Sequence, residues 1–204
     1  MARRTAPEIN AGSMADIAFL LLISFLVTTT IEKDRGLIRS LPPDQPADVE
    51  PPIIKEKNLF VVIVGKEGDL FVEDELMELK DLQEAAVAFL DNGGIPAGQE
   101  GYCDYCQGLR NPSSSDNPDK AIVTVKNHRE SNFEDYILVQ NELVAAYNFL
   151  RDRESQRLYG WKYTEVKSAL DEGLYTGDED KAKERLKVIK QMFPLKLSEI
   201  DPNS

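Results

Sequence analysis

Histidine is almost missing from this chain. His128 is the only one among 204 residues, beside two cysteines and one tryptophan. A closed zinc site needs four His, Cys or carboxylate ligands, and Cys103, Cys106 and His128 fall short of that set. There is no Gly-rich phosphate loop, no G-x-S-x-G and no paired metal-ligand motif. One histidine makes no catalytic constellation, so nothing argues for an enzyme and no cofactor is expected. Basic runs are missing too. Lys and Arg number 24 against 36 Asp and Glu, a net charge of −12, whereas a nucleic-acid binder would carry a basic stripe. Most of the acidic excess follows residue 44, where it serves solubility. A second long apolar run is also absent. The chain is therefore bitopic at most, and by itself it cannot enclose a pore.

What is present is one apolar run, residues 14–31, with Asp16 inside it. As a helix at about 1.5 Å per residue it would extend roughly 27 Å, close to a hydrocarbon core of about 30 Å. Asp costs roughly 2.5–3.5 kcal/mol at a helix centre and less near an end, while each Leu, Ile, Phe or Val returns about 0.3–0.6 kcal/mol. The segment can insert, and the carboxylate is a cost that asks for a reason. Two reasons fit. Ser13-Met-Ala-Asp16 matches a capping box at a helix start, where Asp also complements the helix dipole. Alternatively, a desolvated carboxyl can have its pKa raised by several units and then exchange protons near neutral pH. At 100° per residue Asp16 shares its stripe with Leu20, Ile23 and Val27. Ser24 lies about 80° away and Thr28 about 120° away. Ser24, Thr28 and Thr30 are the polar candidates along the helix. A proton route through Asp16 would need another subunit's helices to complete it.

The run is longer than the 7–15 or so apolar residues of a cleaved signal peptide and ends without an A-x-A-like site, so it is read as an uncleaved anchor. Arg3 and Arg4 precede it, and Lys33, Arg35 and Arg39 follow. The positive-inside count is close to even, and the short first segment favours a cytoplasmic N-terminus. The expected divisions are an arm over 1–12, a transmembrane helix over 13–31, a linker over 32–57 and an exported α+β domain over 58–204. Pro42, Pro43, Pro46, Pro51 and Pro52 forbid regular helix in the linker, and its 26 residues would reach roughly 80 Å as polyproline II.

In the domain, residues 58–64 and 70–72 read as strands around the turn at 65–69. A helix follows over 79–91, with Leu82, Ala85, Ala86 and Phe89 on one face, stopped by Gly93 and Gly94. Residues 95–119 read as a loop. Residues 121–125 read as a third strand. A capping box at Ser131-Asn-Phe-Glu134 opens a helix through about Arg153, with Ile137, Val144, Tyr147 and Leu150/Arg151 as its spaced positions. Further helices are expected over 164–172 and 178–192, and a last strand over 195–199. The order β-β-α-β-α-α-β describes a small mixed sheet with helices on one face. Cys103-Asp-Tyr-Cys106 sits in a loop and not at a strand-to-helix junction, which argues against a thioredoxin-like redox motif. The reading adopted is a local disulfide stapling the loop, which requires an oxidising compartment. Trp161 and the tyrosines at helical spacing read as core.

The segment Glu8-Ile-Asn10, Asp16 six residues after Asn10, the aliphatic helix and Leu41-Pro42 together resemble the ExbD/TolR family of biopolymer-transport proteins. The loop Tyr102-Cys-Asp-Tyr-Cys-Gln-Gly108, with Asn117-Pro-Asp-Lys120 and Gln140-Asn-Glu-Leu-Val-Ala-Ala-Tyr147, is similar to a longer ExbD-type branch of Gram-negative bacteria. Where many members have Thr-Pro between the Asn and the Asp, this chain has Gly12-Ser13. The resemblance implies an inner-membrane subunit with a cytoplasmic N-terminus and a periplasmic domain. It implies a pair of such helices inside a pentamer of ExbB-like subunits, protons as the coupling ion carried by Asp16, and a TonB-like effector that energises outer-membrane uptake. A TolR-like envelope-maintenance role, or a membrane-anchored periplasmic binding or scaffold module without proton transport, are the competing expectations.

Overall fold

The computed structural model describes residues 11–28 and 54–200, and within the first segment it leaves the side chains of residues 11, 13 and 26–28 undescribed. The chain divides into two compact units, residues 1–50 and 51–204. The first contains α1 (Ala11–Thr28). Its 18 residues rise about 27 Å, slightly less than a hydrocarbon core of about 30 Å. Among the described residues no helix is long and apolar enough to cross a membrane. Residues 29–31 of the expected membrane helix, and the linker as far as residue 53, lie outside the described residues.

The second unit is an α+β fold. A short 3-10 turn (Glu56–Asn58) leads into β1 (Leu59–Val64), followed by β2 (Leu70–Val72), β3 (Glu75–Met77), α2 (Leu79–Leu90), β4 (Ile122–Asn127), α3 (Phe133–Tyr159), α4 (Tyr163–Asp171), α5 (Glu179–Met192) and β5 (Leu197–Ile200). The sheet order is β3-β2-β1-β4-β5. β1 pairs with β2 and β2 with β3 in antiparallel fashion, and β1/β4 and β4/β5 are parallel. Parallel neighbours need crossovers. Here α2 with the following loop supplies one, and α3 to α5 supply the other.

Burial alternates along β1, with Phe60, Val62 and Val64 inward. These side chains share one core with Leu82 and Phe89 of α2 and with Leu143, Tyr147 and Leu150 of α3. A second, smaller core gathers Tyr163 and Val166 of α4 with Ala182, Leu186 and Ile189 of α5.

Several expectations are corrected here. β3 was not expected, and with it the observed order is β-β-β-α-β-α-α-α-β. The β2–β3 turn is made by Glu73 and Asp74, both at positive φ (52° and 67°). Two-residue hairpin turns of this kind normally advertise themselves with Asn-Gly or Asp-Gly, and Glu-Asp carries no such signature. The Ser131 capping box does not form. The N-cap of α3 is Asn132, with no side-chain cap bond, and the Ser131 hydroxyl instead donates to the His128 carbonyl at 2.8 Å and also meets the Asn127 carboxamide oxygen. Of the expected α3 positions Tyr147, Leu150 and Arg151 are buried, beside Val139, Leu143, Ala146 and Glu154, while Ile137 and Val144 are half-buried. α3 also continues six residues past Arg153, because both cores bury it and no single apolar stripe describes its sequence.

Candidate functional site

α1 carries one ionisable side chain, Asp16. The backbone is already helical at Ala11, the first described residue, so Ser13 lies inside α1 and Asp16 lies further along it. A residue within a helix cannot act as its N-cap, since the cap is the flanking residue with non-helical backbone. The cap reading of Asp16 therefore has no geometric basis. Around it the apolar side chains are exposed: Phe19 is 61% exposed and Leu20 59%. Ser24 lies on the same helix, about 12 Å further along at 1.5 Å per residue. Thr28 is the last described residue of α1 and its side chain is undescribed, and Thr30 lies outside the described residues.

In the second unit a polar cluster lies just before β1, where Lys57 and Asn58 meet Asp116. Asn58 and Asp116 bond reciprocally: the Asn58 amide donates to the Asp116 carboxylate at 3.2 Å, and the Asp116 backbone N–H donates to Asn58 Oδ1 at 2.8 Å. Lys57 Nζ meets Asp116 at 2.5 Å and donates to the Pro112 carbonyl at 3.0 Å. Burial pushes the Asp116 carboxyl up, but hydrogen bonds from Lys57 and Asn58 and the charges of Lys57 and Lys55 outweigh it, leaving the carboxyl below its ordinary value. A carboxyl with a lower pKa folded than unfolded stabilises the fold above about pH 4 and loses that contribution as pH falls through its folded value. We expect Asp116→Asn to cost about 1–3 kcal/mol at neutral pH, with the gap to the native protein narrowing at pH 3. Urea midpoints at both pH values check this. An equal gap at both would show that the charge is irrelevant.

The loop that holds Asp116 is packed tightly. Cys103 and Cys106 are joined in a disulfide, and both are buried. Arg110 donates to the carbonyls of Cys103 and Cys106 and stacks over Tyr102. Gly108 lies so near the end of α2 that a Cβ there would stand 2.6 Å from the Asp91 carbonyl oxygen. Gly93, at φ +62°, would set a Cβ 2.8 Å from that of Cys106. The chain ring closed by the disulfide is short, so replacing both cysteines by Ser should cost only about 2 kcal/mol of chain entropy. In intact cells both thiols should resist alkylation until a reductant is added, and immediate labelling would count against an oxidised native state.

A family model described as biopolymer transport protein ExbD/TolR matches residues 2–150. The chain belongs to the ExbD/TolR family. No curated protein matches it. Membership makes it a membrane energy-transducing subunit of a family whose members are transport-associated and not enzymes. ExbD/TolR proteins are anchored in the inner membrane with a periplasmic domain. They form dimers and work with ExbB/TolQ-type partners and TonB/TolA-like proteins.

The ExbD/TolR match stops at Leu150, yet the next residues hold the fold together. Buried Arg151 donates twice to the Phe193 carbonyl, at 3.0 and 2.7 Å, and lies over the rings of Tyr147 and Tyr163. Arg153 makes a two-pronged bond with Asp91, at 2.6 and 2.8 Å. Tyr105 of the disulfide loop donates to the Met192 carbonyl at 2.8 Å, and burial pushes its phenol up to about 12. None of these roles was legible beforehand. The one available hint was an arginine placed on an otherwise apolar helical stripe.

His128 is exposed, and its Nδ1 accepts from the Glu130 backbone N–H at 3.2 Å. Among the described residues no group of three His, Cys, Asp or Glu could hold a metal ion. Trp161 stacks on Tyr159 beside the second core.

Proposed function

We propose that this chain is an ExbD-like stator subunit that couples the proton motive force to TonB-dependent uptake across the outer membrane. Residues 13–31, which include most of α1, form the membrane anchor, with residues 1–12 cytoplasmic and the α+β unit periplasmic. Asp16 binds and releases the coupling proton. The observation that supports the reading is the position of Asp16: the sole ionisable group of α1, inside the helix and amid exposed apolar side chains such as Ile17, Phe19 and Leu20.

An isolated helix of this kind offers half of a path. Its Asp16 stripe continues as Leu20 and Ile23, so the remaining polar groups belong to the surrounding ExbB-like subunits. A dimer of the chain presents two such carboxyls to that ring. The Cys103–Cys106 staple agrees with an oxidising compartment for the folded unit. Exchange of Asp16 for Asn is the deciding experiment. Lost uptake with normal assembly supports proton carriage, and retained uptake leaves an anchored scaffold. A defect confined to envelope integrity assigns the TolR-like role.

A further inference from the structure

We propose that the groove between α4 and α5 docks an acidic segment of a partner protein that carries aliphatic side chains. The groove encloses about 320 Å3. Lys167, Lys183, Lys187 and Lys190 surround it, Leu170 and Leu186 form its floor, and Asp171 is its one acidic lining residue. In a chain of net charge −12, this is a local inversion of sign.

The four ammonium groups are available to a ligand. Lys167 pairs with Asp171 at 2.5 Å and Lys183 with Glu179 at 2.8 Å. Both are exposed i,i+4 pairs, worth about 0.3–0.5 kcal/mol each, and are readily exchanged. Lys187 and Lys190 form no ion pair among the described residues. On α5, positions 183, 186, 187 and 190 follow the i, i+3, i+4, i+7 spacing of a single helix face. They present a strip with Leu186 at its centre and charge on its flanks.

The shape and the floor identify the class of occupant. A lysine patch alone would serve any polyanion or a lipid headgroup plane. A concave channel between two helices with a leucine floor fits a narrow segment whose alkyl groups enter while its carboxylates meet the rim, the helix-in-groove or extended-peptide mode of recognition. Complementary charge would speed its arrival and fix its register. The groove lies after residue 150, beyond the ExbD/TolR match, so the inference stands apart from proton carriage by Asp16.

The test uses the full-length protein in neutral phosphatidylcholine nanodiscs and a fluorescein-labelled octapeptide, Glu-Asp-Glu-Leu-Leu-Glu-Asp-Glu. A second peptide replaces both leucines by glycine at the same charge. Fluorescence anisotropy should show the leucine peptide binding about tenfold more tightly than the glycine one, and weakening with added salt. The exposed pair Lys187→Gln/Lys190→Gln should weaken it about fivefold, with an unchanged circular dichroism spectrum. Equal binding of the two peptides, or full binding by the double variant, overturns the proposal. Displacement of the peptide by dihexanoyl phosphatidylglycerol at lower concentration than by unlabelled peptide overturns it in favour of a lipid-headgroup surface.

Discussion

Asp16→Asn is expected to abolish energised uptake while leaving the protein expressed and assembled. Asn keeps the size and hydrogen-bonding capacity of Asp but has no proton to exchange. If Asp16 served packing or capping, the substitution would be nearly silent, since Asn is as good an N-cap as Asp. If Asp16 carries the coupling proton, the loss is complete. Each proton crossing 100 mV delivers about 2.3 kcal/mol, and without a titrating group on this helix none of that reaches the effector. Membrane insertion should improve slightly, because a neutral amide is cheaper to bury than a carboxylate. The measurement is accumulation of a labelled outer-membrane-receptor ligand in cells. Protonophore-treated native cells set the zero, and crosslinking to the ExbB-like partner reports assembly. Asp16→Glu restores the carboxyl and should recover part of the activity. Uptake by the Asn variant at native rates would end the proton-carrying reading, whatever its assembly.

Phe193→Ala destabilises the periplasmic unit by about 3–5 kcal/mol, the usual result of emptying a buried aromatic site. In a domain of this size each kcal/mol moves the melting temperature by roughly 2–4 °C, so a fall of about 6–20 °C is expected. Phe193 is 0% exposed and sits in the main core with β1, α2 and α3. Its ring meets Tyr105 edge-on at 5.4 Å, and its carbonyl receives both Arg151 bonds. Phe193 lies well outside the ExbD/TolR match, so the result also tests whether residues 151–204 are integral or an appendage. Leu174→Ala, at a site 68% exposed, should change stability by less than about 0.5 kcal/mol. A loss under about 1 kcal/mol for Phe193→Ala would show that the matched segment folds without its extension.

Much of the fold was readable in advance. The strands at 59–64 and 70–72, α2, α4, α5 and the final strand fall within a residue or two of expectation, because each has a clean period or a strong stop signal. β3 was missed because a three-residue strand has too little pattern, and its turn used Glu73–Asp74 in place of glycine or asparagine. The stripe of α3 was read only in part, at Tyr147, Leu150 and Arg151, because tertiary contacts override periodicity there: Gln140 and Glu154 are also buried, and Gln140 bonds Glu199 of the distant last strand. Ser131 had the right spacing for a capping box, but its hydroxyl found closer acceptors upstream.

The candidate membrane site divides in the same way. A lone carboxylate in an apolar run is visible in composition, since its cost depends only on local hydropathy. Whether it caps or lies within the helix depends on the backbone around it, which is already helical at Ala11, the first described residue.

By itself, then, the amino-acid sequence determined the membership of this chain in its family, the single apolar run with Asp16, and the mixed α+β character of the folded unit. These rest on local patterns: period, charge and turn chemistry. Only the tertiary structure decided that the disulfide loop is fastened both to Asn58 and to the end of α5. It alone decided that Arg151 and Phe193 make the extension part of the core, and that four lysines converge on one groove in an acidic protein. Those facts depend on pairs 40 to 90 residues apart, or on two helices meeting side by side, and no local pattern encodes which distant partner a buried polar group will find.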